Sequence, residues 1–398
     1  MKILFVTESF PFPLDSGGKI VSYQMLRMLS SQHSVHLVAL NESMPSQQHI
    51  KQITKLGIKV DILPTKKRNP WNMPNKLRSL QSILHFKPTI IHEYFEPKLS
   101  SLIHTILVNE NIDCIHIEHV SMAQYFPAKK QHIWILQEQN IEYKLYQEFA
   151  RFSPFFSKEQ LLHAYNACAL HTYELGIINK VDQVIVLSKS EKLLLQSKGI
   201  SPNKILVIPP YISRKIHTVE PKKNFKELLF IGNLWWKPNI DAIHWFLEKI
   251  FPIVLKRDSE VRLTIVGEGT GVLLDCLGEI SSVTLVEKPV YIDQYIKRAG
   301  AFIMPFRIGQ GVRIKALTAF SCGVPIVSTS VGIRGLHAER DTEFLIAETP
   351  DDFATKIVSI LSDEAMQNKL INQAYAFIRR HHDPIAISAS LLSKYGES

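Results

Sequence analysis

The feature that most restricts the fold is a repeated alternation of short apolar runs with helical stretches. Ile3–Thr7, Val35–Leu40, Lys59–Leu63, Thr89–His92, Cys114–Ile117, Ile133–Leu136, Gln183–Leu187 and Ile205–Ile208 read as strands. Between the first two, Val21, Met25, Met28 and Leu29 fall at i, i+4, i+7 and i+8, one face of an α-helix. A long helical stretch, Lys158–Asn179, and a shorter one capped by Ser188 follow. Strands and helices in alternation build parallel sheets with helices on both faces.

Pro209-Pro210 interrupts the series, because adjacent prolines neither continue a strand nor start a helix core. The pattern then restarts. Leu228–Ile231, Arg262–Val266, Val283–Val286, Ala301–Met304 and Val324–Ser328 are the predicted strands. A helix from Asn239 presents Ile243, Phe246, Leu247 and Ile250 on one face. Helices near 292, 351–361 and 365–380 come next, and a last one, Pro384–Tyr395, closes the chain. The 398 residues are therefore expected to form two α/β, doubly wound, Rossmann-like domains: 1–210 and 211–383, with 384–398 a terminal helix. Such sheets bind ligands beyond the C-terminal ends of their strands. The informative loops are then 9–18, 118–124, 232–238, 267–269, 288–291 and 307–313.

The densest chemistry lies in 304–335, MPFRIGQGVRIKALTAFSCGVPIVSTSVGIRG. An apolar strand end leads into a loop with Gly309 and Gly311, then into a helix over about 313–322. Glycine lets the backbone approach a ligand closely, and a helix N-terminus directs unpaired N–H groups and positive dipole into the loop. That is an anion site, with phosphate its usual occupant. Arg313 and Lys315 add cations where they do not help the helix, so they are expected to serve the ligand.

Charge and composition exclude several classes. The formal net charge of +9 favours anionic partners, but the basic residues are dispersed, which argues against a nucleic-acid groove. No apolar run is long enough to span a membrane, and MKILFVTESFPF reads as a first strand rather than a signal peptide. Cys114, Cys168, Cys276 and Cys322 lack CxxC spacing and are expected to be buried thiols of a cytoplasmic protein. No Asp-x-Asp motif or clustered histidines offer a metal site, and His381-His382 reads as a solvated pair at a helix end.

With these motifs in order, the chain resembles the family 4 glycosyltransferases. The residues that carry the resemblance are Pro13 to Lys19 (PLDSGGK), Phe230 to Leu234 (FIGNL) with Trp236 to Asn239 after it, Ile265 to Gly269 (IVGEG), Gly309 to Lys315 (GQGVRIK) and Gly323 to Thr329 (GVPIVST). The resemblance implies the GT-B fold, two domains facing across a cleft, with the final helix crossing back to the N-terminal domain. It implies transfer of a sugar from a nucleotide-diphosphate sugar to a glycan, lipid-linked or protein-linked acceptor, with retention at the anomeric carbon and no metal cofactor. The N-terminal domain would serve the acceptor and the C-terminal domain the nucleotide sugar. The basic balance fits attachment to the inner face of an anionic membrane.

The same resemblance assigns residues. Gly17 and Gly18 would approach the donor from the first domain. Gly232, Asn233, Gly267, Glu268, Val290, Gly309, Gln310, Gly311, Val312, Lys315 and Thr318 would bind it in the second. Arg313 and Lys237 would neutralise charge on the departing diphosphate. Asp113 to His119 (DCIHIEH) ends a strand where the family offers a polar residue to the sugar; Glu118 and His119 are the alternatives, sent to opposite sides by strand alternation. Gln139 to Tyr143 (QNIEY) resembles an acceptor-side loop in which Gln139 replaces a usual histidine. The family's two loop-and-helix glutamates correspond to Gln310 and Thr318. The second of these normally holds the ribose. Thr318 thus keeps open a second reading, a catalytically weak GT-B protein acting as a glycan-binding or partner subunit. A nucleotide-sugar epimerase on the same fold is a third.

Overall fold

The computed structural model describes residues 1–65, 82–83, 86–212, 224–269, 281–287, 292–336, 338 and 341–396. They fall into two compact units, Met1–Pro210 with Ile385–Ser398, and Tyr211–Pro384.

The first unit is a sheet of seven parallel strands: β1 (Lys2–Thr7), β2 (Ser34–Asn41), β3 (Lys59–Pro64), β4 (Cys114–Glu118), β5 (Ile133–Gln137), β6 (Gln183–Val186) and β7 (Ile205–Val207). Their order is β3-β2-β1-β4-β5-β6-β7. Ile3 lies between Val35 and Cys114 in register, and Ile3, Leu4, Phe5 and Val6 are wholly buried. Parallel strands covered on both faces must be apolar on both. The chain winds outward from β1 to β3, then returns to place β4 on the other side of β1. Connections diverge at such a reversal and leave a crevice beyond the strand ends.

The second unit repeats the plan with six parallel strands: β8 (Asn224–Ile231), β9 (Arg262–Val266), β10 (Val283–Val286), β11 (Ala299–Met304), β12 (Ile326–Ser328) and β13 (Leu345–Ile346). Their order is β10-β9-β8-β11-β12-β13, so the reversal falls between β8 and β11. Phe230, Phe302, Phe320 and Phe353 are fully buried in its core.

The terminal helix Pro384–Gly396 joins the first unit from Ile385 onward. Leu391 and Tyr395 are buried, and the Tyr395 hydroxyl is bonded to His116 Nδ1 at the centre of β4.

Several expectations are corrected. Thr89–Glu93 is a short helix, not a strand, because Asn166 Oδ1 of the helix Lys158–Lys180 accepts from both the Thr89 N–H (2.8 Å) and its hydroxyl (3.0 Å). A tertiary cap overrides the β-branched composition. The helix from Lys237 passes through a π-helical turn at Phe246–Ile250 before Phe251–Arg257, since Pro252 has no N–H to give to the preceding turn. Cys168 is exposed whereas Cys114 and Cys322 are buried; Cys276 lies outside the described residues. His382 is buried and packed on Phe377, its backbone N–H bonded to Ile378 O at 2.8 Å, so only His381 of that pair is exposed.

The first unit also buries acids beneath the C-terminal end of β5. Glu138 and Glu174 are wholly buried, and Glu191 nearly so. Glu174 caps the helix Glu142–Phe152 by accepting from the Glu142 and Tyr143 N–H groups, both at 2.9 Å. Burial, and then neighbouring carboxylates, raise Glu138 well above the ordinary 4.5 and Glu174 to about 8; burial raises Glu191 to about 7. Above pH 4.5 the unfolded chain has released protons that the folded chain keeps, so these groups make stability fall as pH rises toward 8. Glu138→Gln removes one such group. Urea unfolding at pH 5.5 and 7.5 should show the variant gaining on the wild type at the higher pH, by up to about 1.4 kcal/mol per pH unit. An equal difference at both pH values would reject the assignment.

Candidate active site

At the reversal of the first sheet, one carboxylate ties the strand ends together. Glu118 closes β4 and is wholly buried. Its Oε2 accepts from Thr7 Oγ1 and Ser22 Oγ, both at 2.7 Å. Its Oε1 accepts from Gln137 Nε2 at 2.9 Å and Gln139 Nε2 at 2.8 Å. Carboxamide nitrogens only donate, so Glu118 is held as an acceptor. Gln137 Oε1 in turn accepts from His116 Nε2 at 2.9 Å, which leaves His116 Nδ1 to accept from the Tyr395 hydroxyl. Burial pushes His116 down to about 3, against the Gln137 bond, and keeps that ring neutral. Glu118, one of the two alternatives for the sugar-facing residue, is thus committed inside the sheet and does not reach the crevice.

His119 takes the other side. Its φ of 70° is in the left-handed region, a strained conformation for a residue with a Cβ, and its N–H is fixed to Gln137 O at 2.9 Å. The side chain is partly exposed, with Nε2 3.8 Å from Glu8 Oε1. Burial alone would lower His119, but the charges of Glu8, Glu118 and Glu142 outweigh it and raise its pKa. Burial lifts Glu142 to about 7, with His119 opposing. Glu8 Oε2 accepts from Ser121 Oγ at 3.0 Å. An imidazole raised by carboxylate charge keeps its proton to higher pH than a free one and can offer it to a hydroxyl. Gly17 is exposed where it opens the helix Gly17–Leu29 behind the Ser16 cap, and Gly18 O accepts from Gln139 Nε2 at 3.1 Å.

The second sheet's reversal carries the glycine loop. A Cβ on Gly309 would sit 2.0 Å from Arg313 Nη2, so only glycine lets this guanidinium fold under the loop. Arg313 stacks 3.9 Å from the Phe306 ring centre and donates from Nη2 to Ile308 O at 3.0 Å. Arg334 adds a second cation, Nη1 donating to Gly309 O at 2.9 Å. Gln310 and Val312 are half-buried, Gly311 buried. Among the described residues no acceptor meets the N–H of Gly311 or Val312. The helix Ile314–Ser321 that follows has no side-chain cap, so its first N–H groups also lack partners within the helix. These amides and cations form one electropositive loop.

Lys315 and Thr318 are turned inward. Lys315 Nζ donates to Ile231 O at 2.6 Å and Asn239 Oδ1 at 3.1 Å; burial, then the Arg313 charge, pushes it well below the usual lysine range. It thereby joins the end of β8 to the loop helix. The Thr318 hydroxyl donates to Ile314 O at 3.1 Å.

The loops after β8 and β9 interlock. Leu234 N donates to Glu268 O at 2.7 Å, Glu268 N to Asn233 Oδ1 at 3.2 Å, and Asn239 Nδ2 to Asn233 O at 2.8 Å. A Cβ on Gly267 would lie 2.2 Å from Gly232 O. Gly232, Asn233 and Gly267 therefore set the loop geometry, while the Glu268 side chain is exposed. Lys237 is half-buried at the start of the helix Lys237–Trp245, which also lacks a side-chain cap. Val290 lies outside the described residues. Among the described residues, no three His, Cys, Asp or Glu side chains are grouped as a metal site.

Sequence reasoning missed Glu8, Asn239 and Arg334. Glu8 directly follows β1 in a ligand-facing loop, a signal that was available. Asn239 is among the residues that carry the resemblance, but its tie to Lys315 and Asn233 O is a long-range contact with no sequence signal. Arg334 reaches Gly309 from a distant turn, and nothing in its spacing announces that.

Two parallel doubly wound units with their loops at paired reversals define a GT-B glycosyltransferase fold, and known structures share it. Sucrose-phosphate synthase from Thermosynechococcus elongatus aligns with TM-score 0.71 at 15% identity, covering 100% of this chain and 99% of that one. Anabaena HepE in complex with UDP gives 0.67 at 14% identity over 100% of both. A family model for Glycosyltransferase Family 4 matches residues 16–215 and one for Glycosyl transferases group 1 matches 225–363. The chain belongs to the family 4 glycosyltransferases and is a glycosyltransferase. An uncharacterized 44.6 kDa protein in the cps region of Klebsiella pneumoniae is 24% identical to it over 415 residues, 99% of each chain.

Glu118→Ala would remove the shared acceptor of Thr7, Ser22, Gln137 and Gln139, leaving Ser9 O near Thr7 and Gly18 O near Ser22 and Gln139. Denaturant unfolding should show a loss on the order of 3 kcal/mol. A loss below about 0.5 kcal/mol would mean that the carboxylate does not organise these strand ends.

Proposed function

We propose that this glycosyltransferase uses a nucleoside-diphosphate sugar, with UDP the nucleotide named for several structural neighbours, and transfers the sugar with retention to a glycan or glycoconjugate acceptor. The observation that carries this reading is the loop 309–315: unpartnered amides at Gly311 and Val312, an uncapped helix start, and Arg313 and Arg334 beneath them. As the glycosidic bond breaks, negative charge grows on the β-phosphate oxygen that leaves. Fixed amides and guanidinium groups aimed at that charge lower the barrier without reorganising. Lys237, at the neighbouring uncapped helix, is assigned the second contact to the diphosphate. These groups supply the charge that a metal would otherwise provide, so we infer metal-independent transfer.

In the first unit the reading gives His119 the sugar or acceptor hydroxyl, with Glu8 and Glu142 setting its charge. Glu118 acts through position alone. We further infer peripheral attachment to an anionic membrane. The net charge of +9 supports this, and among the described residues no helix is long and apolar enough to cross a bilayer. A donor-binding subunit with weak catalysis is the alternative. One observation favours it: the Thr318 hydroxyl, where the family resemblance places a ribose-binding glutamate, is spent on Ile314 O.

Titration calorimetry with UDP and a panel of nucleotide sugars tests the donor reading. Arg313→Ala should weaken binding by roughly 1.5–3 kcal/mol, the loss of a charge-assisted hydrogen bond. Unchanged affinity would remove Arg313 from the site, and absence of any nucleotide binding by the wild type would end the reading. Donor hydrolysis followed by NMR separates enzyme from subunit: the α-anomer retained from an α-linked donor is expected, and no hydrolysis or transfer favours the subunit.

A further inference from the structure

The corner between the helices Glu142–Phe152 and Lys158–Lys180 exposes adjacent aromatics. Phe155 and Phe156 stand 81% and 77% exposed at its tip, their rings in contact with centroids 4.3 Å apart. Phe152 and Leu161 extend the apolar surface on either side, 40% and 61% exposed. Phe156 also has φ 55°, a left-handed conformation that an aromatic residue rarely adopts. Exposing two adjacent phenylalanines in a strained turn does nothing for the folded unit alone.

Three observations identify what covers them. The first is position: the two aromatics stand exposed in the short connection between two helices. The second is charge. Arg151 lies over the Phe152 ring at 5.8 Å and Lys158 follows Phe156, both exposed. The carboxylate within 150–161, Glu159, is drawn to His163 at 3.5 Å. The aliphatic stems of Arg151 and Lys158 can lie along apolar surface while their heads reach anionic groups. The third is the backbone. Ser153 N donates to Phe149 O (3.0 Å), Phe156 N to Gln160 Oε1 (2.8 Å) and Ser157 N to Pro154 O (3.1 Å), and Pro154 has no N–H. Within 153–157 the Phe155 N–H takes none of these bonds, but the other amides are satisfied internally, so the turn leaves water at less cost than one bonded to water throughout.

We propose that the corner 151–161 is a membrane-insertion element, seating this enzyme on the interfacial region of an anionic bilayer with Phe155 and Phe156 among the upper acyl chains and Arg151 and Lys158 at the headgroups. This deepens the membrane part of the proposed function and rests on it. It also has a geometric consequence. The helix Glu142–Phe152 has 11 residues, about 16 Å at ~1.5 Å per residue. Its far end begins at Glu142, whose charge acts on His119. An acceptor headgroup standing about that far above the bilayer would meet the polar cluster of the first unit.

The experiment is co-sedimentation of the full chain with vesicles of phosphatidylglycerol and phosphatidylethanolamine, and with neutral phosphatidylcholine vesicles. The wild type should bind the anionic vesicles, and the double variant Phe155→Ser/Phe156→Ser should lose roughly tenfold or more. Phe155→Trp/Phe156→Trp should bind at least as well as wild type, and Arg151→Glu/Lys158→Glu should abolish the preference for anionic lipid. Calorimetric UDP affinity should be unchanged in the serine variant, showing that it folds. Equal vesicle binding by the wild type and the serine variant, or none by the wild type, overturns the proposal. So does a wild-type dimer in solution that the serine variant breaks, which would give the patch to a second copy. Failure of UDP binding in every variant would instead sink the donor reading and leave the vesicle result standing.

Discussion

Each sheet in this protein pairs its interior strands on both sides: Ile3–Val6 of β1 lie in register with both β2 and β4 and are wholly buried, as Leu228 and Leu229 of β8 lie with both β9 and β11. Chemistry is therefore confined to the strand ends, and the winding order decides which ends are open. The order reverses between β1 and β4 and again between β8 and β11. Glu118 sits at the first reversal and Lys315 reaches into the second, and each is an ionisable group used as a joint. A carboxylate gathering four donors and an ammonium held by a carbonyl and a carboxamide fix loops that apolar contacts alone could not orient. The groups left facing outward, His119 in one unit and the loop 309–313 in the other, inherit their geometry from these joints.

The two halves divide the electrostatic work. The first unit concentrates carboxylates around one imidazole, so its exposed polar group is a proton-holding one. The second presents amides and guanidinium groups, with Arg313 supported by Phe306 and Arg334 by the Gly309 carbonyl. A reaction in which an anion departs and a hydroxyl arrives needs both kinds of environment. The donor types of the positive loop, amides and guanidinium groups, suit an anion.

Much of this was legible in the sequence for a simple reason. Parallel strands of these sheets are short apolar runs, so Ile3–Thr7, Arg262–Val266 and Val283–Val286 announce themselves within a residue of their ends. The glycine loop was equally visible, because the close approach of Arg313 to Gly309 demands glycine. Long-range pairings were not. Strand alternation separates Glu118 from His119 but cannot say which faces the core; the donors on Thr7, Ser22, Gln137 and Gln139 decide it. Thr89–Glu93 is helical because of Asn166, far along the chain, and Arg334 meets Gly309 by the same kind of distant contact. Lys315 looked like a ligand cation, and only its reach to Ile231 O reveals a joint.

The account's central claim is that the amides of 311–315 receive a departing diphosphate. Amide hydrogen exchange followed by mass spectrometry, with and without saturating UDP, tests it directly. The account expects slowed exchange in peptides spanning 309–316, where unpartnered N–H groups gain phosphate acceptors. Bound UDP with exchange in that segment unchanged, and protection elsewhere, would contradict it.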